Sequence, residues 1–128
     1  MPATEPEQLH RLFEQAFNAG DLEALMDLYE PDAALIPQPG VTVEGLDGIR
    51  DALRWFLDRK GQITLETKLV LRVGELVYLA NQWSLAGGTM PDGSPAELGA
   101  TTAEVARVQD DGTWLYVIDN AWGDLATA

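Results

Sequence analysis

Residues 16–53, AFNAGDLEALMDLYEPDAALIPQPGVTVEGLDGIRDAL, hold the end of one helix, a second helix, a short strand and the start of a third helix in one block. Gly20 can close the first helix in the left-handed conformation that only glycine adopts cheaply. Asp21 can then accept hydrogen bonds from the free N–H groups that open the second. The result is a helical corner, which reads as the mouth of a cupped fold.

Upstream, Thr4-Glu5-Pro6-Glu7 matches a capping box with proline near the first turn. Leu9, Leu12, Phe13, Ala16 and Phe17 then repeat at helical spacing, which predicts a first helix over about residues 5–18. Leu22, Leu25, Met26 and Tyr29 give a shorter helix stopped by Pro31. Ala33-Ala34-Leu35-Ile36 reads as a short apolar strand, ended by Pro37 and Pro39 and so expected at a sheet edge. Ile49, Ala52, Leu53, Phe56 and Leu57 form the stripe of a third helix closing at Lys60-Gly61.

From Gln62 the period changes to two, giving a long half-buried strand. Gly74-Glu75 turns the chain into 76–86, with Val77, Leu79, Asn81, Trp83 and Leu85 on one face. The segment GGTMPDGSP is a longer hairpin loop, 98–109 a third long strand, and 114–122 the last. Helices first and then an antiparallel meander predict an α+β domain with its helices on one face of a curved sheet.

Composition narrows the function classes. The 128 residues, 46% hydrophobic, suffice for one domain with its own core. With no cysteine, disulfides, thiolate catalysis and cysteine-based metal sites are excluded, which suits a cytoplasmic protein. The N-terminus lacks the basic and apolar regions of a signal peptide, and no segment approaches the length of a membrane span. A net charge of −13 repels phosphate backbones and anionic lipid, so neither nucleic acid nor membrane is expected as a partner. One histidine, His10, lies off the apolar stripe of the first helix and reads as a surface residue. The glycine patterns do not open a helix after a strand and the acidic pairs lack calcium-loop spacing, so no cofactor or metal is expected.

The element order, together with Asn18-Ala19-Gly20-Asp21-Leu22, Tyr29-Glu30-Pro31-Asp32-Ala33-Ala34, Glu44-Gly45-Leu46-Asp47-Gly48-Ile49 and Asp111-Gly112-Thr113-Trp114, resembles the nuclear transport factor 2-like superfamily. The likeness runs over residues 1–128 as a single domain, nearest to the SnoaL-like and ketosteroid-isomerase-like branch. It implies a cone-shaped domain around an apolar cavity, and a homodimer formed through the sheet. The isomerase machinery does not carry over. Where that branch has a catalytic aspartate, before a proline after the second helix, this chain has Gln38 before Pro39, or Pro37 one place earlier. The tyrosine donor on the first helix corresponds to Phe13. The second acid falls on Glu104, where an apolar cavity would favour the neutral, hydrogen-bond-donating carboxyl. Against this, Glu104 could face solvent or pair with Arg107 or Lys68.

The remaining candidates come from strand faces. Trp83, Trp114, Tyr116 and Trp122 could form an aromatic wall for a flat ligand, or be core or subunit contact. Counting by twos from Trp114 puts Tyr116, Ile118, Asn120 and Trp122 on one face and Asp119 on the other, as a rim residue. The expected pocket is therefore lined by Phe13, Phe17, Tyr29, Leu35, Phe56, Trp83, Tyr116 and Trp122, with polar anchoring by Gln38, Glu104 and Asn120. The function expected is binding of a small hydrophobic molecule. If the protein is an enzyme, it is a cofactor-independent isomerase, cyclase or dehydratase with Glu104 as acid/base. The alternative is a non-enzymatic dimerisation or ligand-sensing module.

Overall fold

The computed structural model describes residues 2–127. Helices α1 (Gln8–Asn18) and α2 (Leu22–Met26) lead into strands β1 (Tyr29–Gln38) and β2 (Val41–Glu44) and helix α3 (Gly45–Leu57). The rest is strand: β3 (Gln62–Val73), β4 (Leu76–Thr89), β5 (Pro95–Thr101), β6 (Ala103–Val108) and β7 (Trp114–Asn120), then a 3-10 turn, Gly123–Leu125. One curved, unclosed sheet runs β2-β1-β7-β6-β4-β3, with β5 also on β4. Every pairing is antiparallel except β1 with β7. No helix is long and apolar enough to cross a membrane, among the described residues.

The helical corner forms as its residues dictate. Gly20 sits at φ +69°, its N–H bonds Phe17 O, and the next N–H, of Asp21, bonds Ala16 O. These two bonds close α1, and the Asp21 carboxylate accepts from Ala24 N at 3.0 Å to open α2. The N-terminus of α1 departs from the capping box. The helix starts at Gln8, whose own Oε1 accepts from the N–H groups of Thr4 and Glu5, so a side chain inside the first turn ties down the chain before it.

Two strand expectations are corrected. β1 is an interior strand between β2 and β7, and the edge belongs to the short β2. Its prolines are accommodated because each lies where the ladder is irregular: Pro31 within the break between Tyr29 and Ala34 against β7, and Pro37 within the break between Leu35 and Gln38 against β2. The single strand expected over 98–109 is two. At Thr102 the chain leaves one part of β4 and rejoins another, so that β5 pairs residues 82–89 of β4 and β6 pairs residues 76–79.

Helix α1 is stitched to the free edge of the sheet. His10, Glu14 and Asn18 recur at four-residue steps, about 6 Å along a helix, and meet alternate residues of β3, which recur at about 6.6 Å. His10 Nδ1 lies 2.7 Å from Thr67 Oγ1, Glu14 accepts from Leu65 N at 2.7 Å, and Asn18 both donates to Ile63 O and accepts from Ile63 N. The unpaired backbone groups of an edge strand are thereby answered by side chains rather than left open to another chain. The core lies between this helical layer and the concave face of the sheet, around Leu9, Leu25, Ile49, Leu79, Leu85, Trp114 and Tyr116.

Candidate functional site

The site begins with a register irregularity. On β7, Ile118 pairs Val105 while Tyr116 pairs Ala106, so Val117 is an extra residue on β7 without a counterpart in β6. A side chain reverses its face with each strand residue, and one extra residue therefore reverses everything beyond it. Trp114 and Tyr116 point into the core, Ile118 is exposed, and Asp119 is buried. The outward placement expected for Asp119 is thus corrected, and so is the inward placement of Asn120. Asn120 caps the following turn instead, donating to Gly123 O and accepting from the N–H groups of Trp122 and Gly123.

The bulge brings Asp119 directly across from Glu104 in the ladder, with Leu35 on the far side of Asp119 and Leu79 on the far side of Glu104. Two carboxyls thus sit side by side in a row whose flanks are buried leucines, and both are almost fully out of water, at 3% for Glu104 and 6% for Asp119. Such groups persist in an interior only with partners. Glu104 Oε1 lies 2.6 Å from His10 Nε2 and accepts from Asn81 Nδ2 at 3.3 Å. Asp119 Oδ2 accepts from the Tyr29 hydroxyl at 2.6 Å.

The partners expected for Glu104 are engaged elsewhere: Arg107 pairs with Glu30, and Lys68 with Glu66. His10 is 2% exposed, so the surface reading is also corrected. The missed signal was the polar 10/14/18 stripe, which faces the edge strand and not solvent. Burial, and next the charge of Glu104, push the Asp119 carboxyl up to about 7, with the Tyr29 hydrogen bond and His10 opposing. Burial first, and then Asp119, drive the Tyr29 hydroxyl well above the ordinary tyrosine range. The Tyr116 hydroxyl is pushed the same way by burial and then by Glu104.

These acids form the polar end of a cavity of about 50 Å³. Asn81, Thr102, Glu104 and Asp119 line that end, and the remainder is apolar: Phe13, Phe17, Leu35, Leu53, Phe56, Ile63, Leu65, Trp83, Leu85 and Ala121. Of the residues expected to line a pocket, Phe13, Phe17, Leu35, Phe56, Trp83 and Glu104 do so. Gln38 does not, being exposed at the end of β1. Tyr29 and Tyr116 are packed against each other in the core, 5.3 Å between ring centres, and Tyr29 acts on the cavity only through Asp119. Trp122 packs edge-on against Trp83 behind the wall and donates to Pro37 O. Strand counting misplaced Asp119 and Ala121, which lie beyond the bulge, and missed Thr102, hidden by the β5–β6 break, while Asn81 and Leu85 were read on the inner face of β4 without being assigned to the pocket.

The volume limits what fits. A water needs about 10–15 Å³ on this scale and a benzene about 150 Å³, so the hollow holds about four water-sized groups. Phe17 borders this cavity and also a wider outer groove of about 440 Å³ whose walls include Asn18, Arg54, Lys60 and Gln62. Among the described residues no three acidic or histidine side chains converge as a metal site would require.

A helix-lidded, bent sheet with a part-polar hollow is the architecture of nuclear transport factor 2-like proteins, and solved structures bear this out. A protein of Streptomyces avermitilis, provisionally named a dehydratase of that family, superposes with a TM-score of 0.71 at 16% identity, covering 88% of this chain and 89% of that one. A domain from Xanthomonas campestris, provisionally named a calcium/calmodulin-dependent protein kinase II association domain, gives 0.73 at 20% identity over 91% and 84%. A conserved protein of Planctomyces limnophilus gives 0.74 at 16% over 88% of each chain. Identities this low establish the fold alone. Within it, the family profile of the SnoaL-like domain matches residues 9–117, and this chain belongs to that family. No curated protein sequence matches it.

Proposed function

We propose that the protein binds a small, largely apolar molecule in the cavity and moves a proton on it, as a cofactor-independent isomerase or lyase would. The observation that carries this is the acid pair: Glu104 and Asp119 face one hollow from adjacent strands, yet each is held by a different partner. Two buried carboxyls on paired residues cannot both ionise freely, and unlike partners separate them into a proton acceptor and a proton donor. Glu104, joined to the His10 imidazole, is the acid/base group, with His10 able to receive or return the proton. Asp119, whose proton burial retains up to about pH 7, is the donor to a developing negative oxygen.

The subunit arrangement proposed is a homodimer through the outer face of the sheet. Leu71, Val73, Leu76 and Tyr78 stand on β3 and β4 with 42–71% of their surface in water, an apolar patch of the kind that a partner surface covers.

The test is proton exchange. Wild type and Glu104→Gln are incubated in D2O with small cyclic ketones, and deuterium entry at the carbon beside the carbonyl is followed by NMR. Incorporation by wild type that the variant loses, while still binding the ketone, supports the assignment. Equal incorporation by both removes Glu104 from the chemistry. The small cavity favours the second reading, a ligand-sensing module, and binding without exchange in wild type would establish that one.

A further inference from the structure

We infer that the cavity selects a ligand that presents a hydroxyl group, recognised by the side-chain carbonyl of Asn81. This rests on the reading of the cavity as a ligand site and specifies the chemistry of its occupant. Four polar side chains line the hollow, and of their buried atoms Asn81 Oδ1 is the one without a hydrogen-bond partner, among the described residues. Glu104 Oε1 is taken by His10 and Asn81, Asp119 Oδ2 by Tyr29, and Thr102 Oγ1 by the backbone N–H of Asn81 at 2.9 Å.

Asn81 is different. Its amide nitrogen donates to Glu104, which orients the group, and its Oδ1 is buried with no hydrogen-bond partner among the described residues. The residue is 1% exposed, so water outside the protein does not reach that oxygen. An orphaned buried acceptor is costly and asks for a donor. The only other buried side-chain atom so placed, among the described residues, is the Tyr116 hydroxyl, and Tyr116 does not line the hollow.

The position of Asn81 is built rather than incidental. It stands where β4 changes partner from β5 to β6, and its backbone is clamped from both sides: Asn81 N bonds Thr102 Oγ1 and Asn81 O accepts from Thr102 N. A ketone offers Asn81 Oδ1 nothing, because both are acceptors. A hydroxyl donates to it and retains an oxygen that can accept from a protonated Asp119. Four water-sized groups of room and a surround of Phe13, Phe17 and Phe56 suit a compact alcohol, with anything larger extending toward Phe17 and the outer groove.

The experiment uses cyclobutanol and cyclobutanone, matched in shape, titrated into the ¹⁵N-labelled protein to about 100 mM, the range expected of ligands with so few atoms. The expected result is tighter binding of the alcohol by about ten-fold, the usual worth of one buried hydrogen bond, with the Asn81 side-chain amide signal moving on titration. Asn81→Leu should abolish the preference. The comparison within wild type stands even if that variant fails to fold. Equal or tighter binding of the ketone overturns the inference, and if its deuterium exchange persists the proposed proton transfer survives alone. Binding of the alcohol without any exchange in the ketone does the reverse. Binding of neither means that a resident water satisfies Asn81, and it overturns the inference.

Discussion

Removing His10 should expose how much of this interior depends on one contact. In His10→Phe the ring volume is roughly kept, but Glu104, 3% exposed, loses the nitrogen 2.6 Å away and keeps only the longer 3.3 Å bond from Asn81. Breaking a buried acid–base pair from one side costs about 3–5 kcal/mol, because the group left behind is stranded away from water. The loss on the Thr67 side is minor, since Thr67 is exposed. Against a total stability of about 5–15 kcal/mol, this is a large fraction. With a urea slope of about 2 kcal/mol per molar, the unfolding midpoint should fall by about 2 M. The control is His10→Phe with Glu104→Gln, which removes the carboxylate but keeps an oxygen for Asn81, and should recover at least about half of the loss. A single variant within about 1 kcal/mol of wild type, or a double variant no better than the single, would refute the account of His10 as the partner that keeps Glu104 inside.

Other outcomes follow from the same geometry. Asp119 is pushed from 3.8 to about 7, so the folded state holds a proton that the unfolded chain releases; stability is fully present below about pH 4 and is lost as pH rises toward 7, by up to about 4 kcal/mol. Asp119→Asn should flatten that slope in urea midpoints measured across the interval, and an unchanged slope would contradict the burial of an acidic proton there. Gly88→Ala should destabilise by about 1–3 kcal/mol in thermal melts, because its added carbon would lie 2.4 Å from Arg59 O and 2.8 Å from Gly61 N, both backbone. Leu71→Glu, on the outer face opposite Tyr78 in the ladder, should convert a dimer to monomer in sedimentation while leaving the circular dichroism spectrum intact; a species of unchanged mass would exclude that face as the subunit contact.

The parts of this fold that were legible in the sequence are those fixed by short-range chemistry. Gly20 and Asp21 decide the helical corner whatever surrounds them, and the alternation from Val77 to Leu85 decides the inner face of β4. What could not be read depends on partners distant in the chain. Whether Pro31 and Pro37 force an edge depends on where the neighbouring ladders break. Whether His10 is wet depends on a strand more than fifty residues away, the separation to Thr67 being 57. Glu104 was found through the family resemblance, and its partner was not, because the resemblance describes a carboxyl there and is silent about His10.

Val117 has a consequence beyond its own position. Parity along β7 is set by the bulge together with the count of residues: deleting Val117 would remove residue and bulge at once and leave Asp119 opposite Glu104, whereas pairing every residue with the bulge gone would put Ile118 opposite Glu104 and turn Asp119 out, with no acid altered in identity. Relatives that keep the same number of residues but pair this strand without the bulge would then place an apolar side chain where this chain has a carboxyl. In such a lineage chemistry can change by slippage before any functional side chain is substituted, and matching letters in a column would conceal the change.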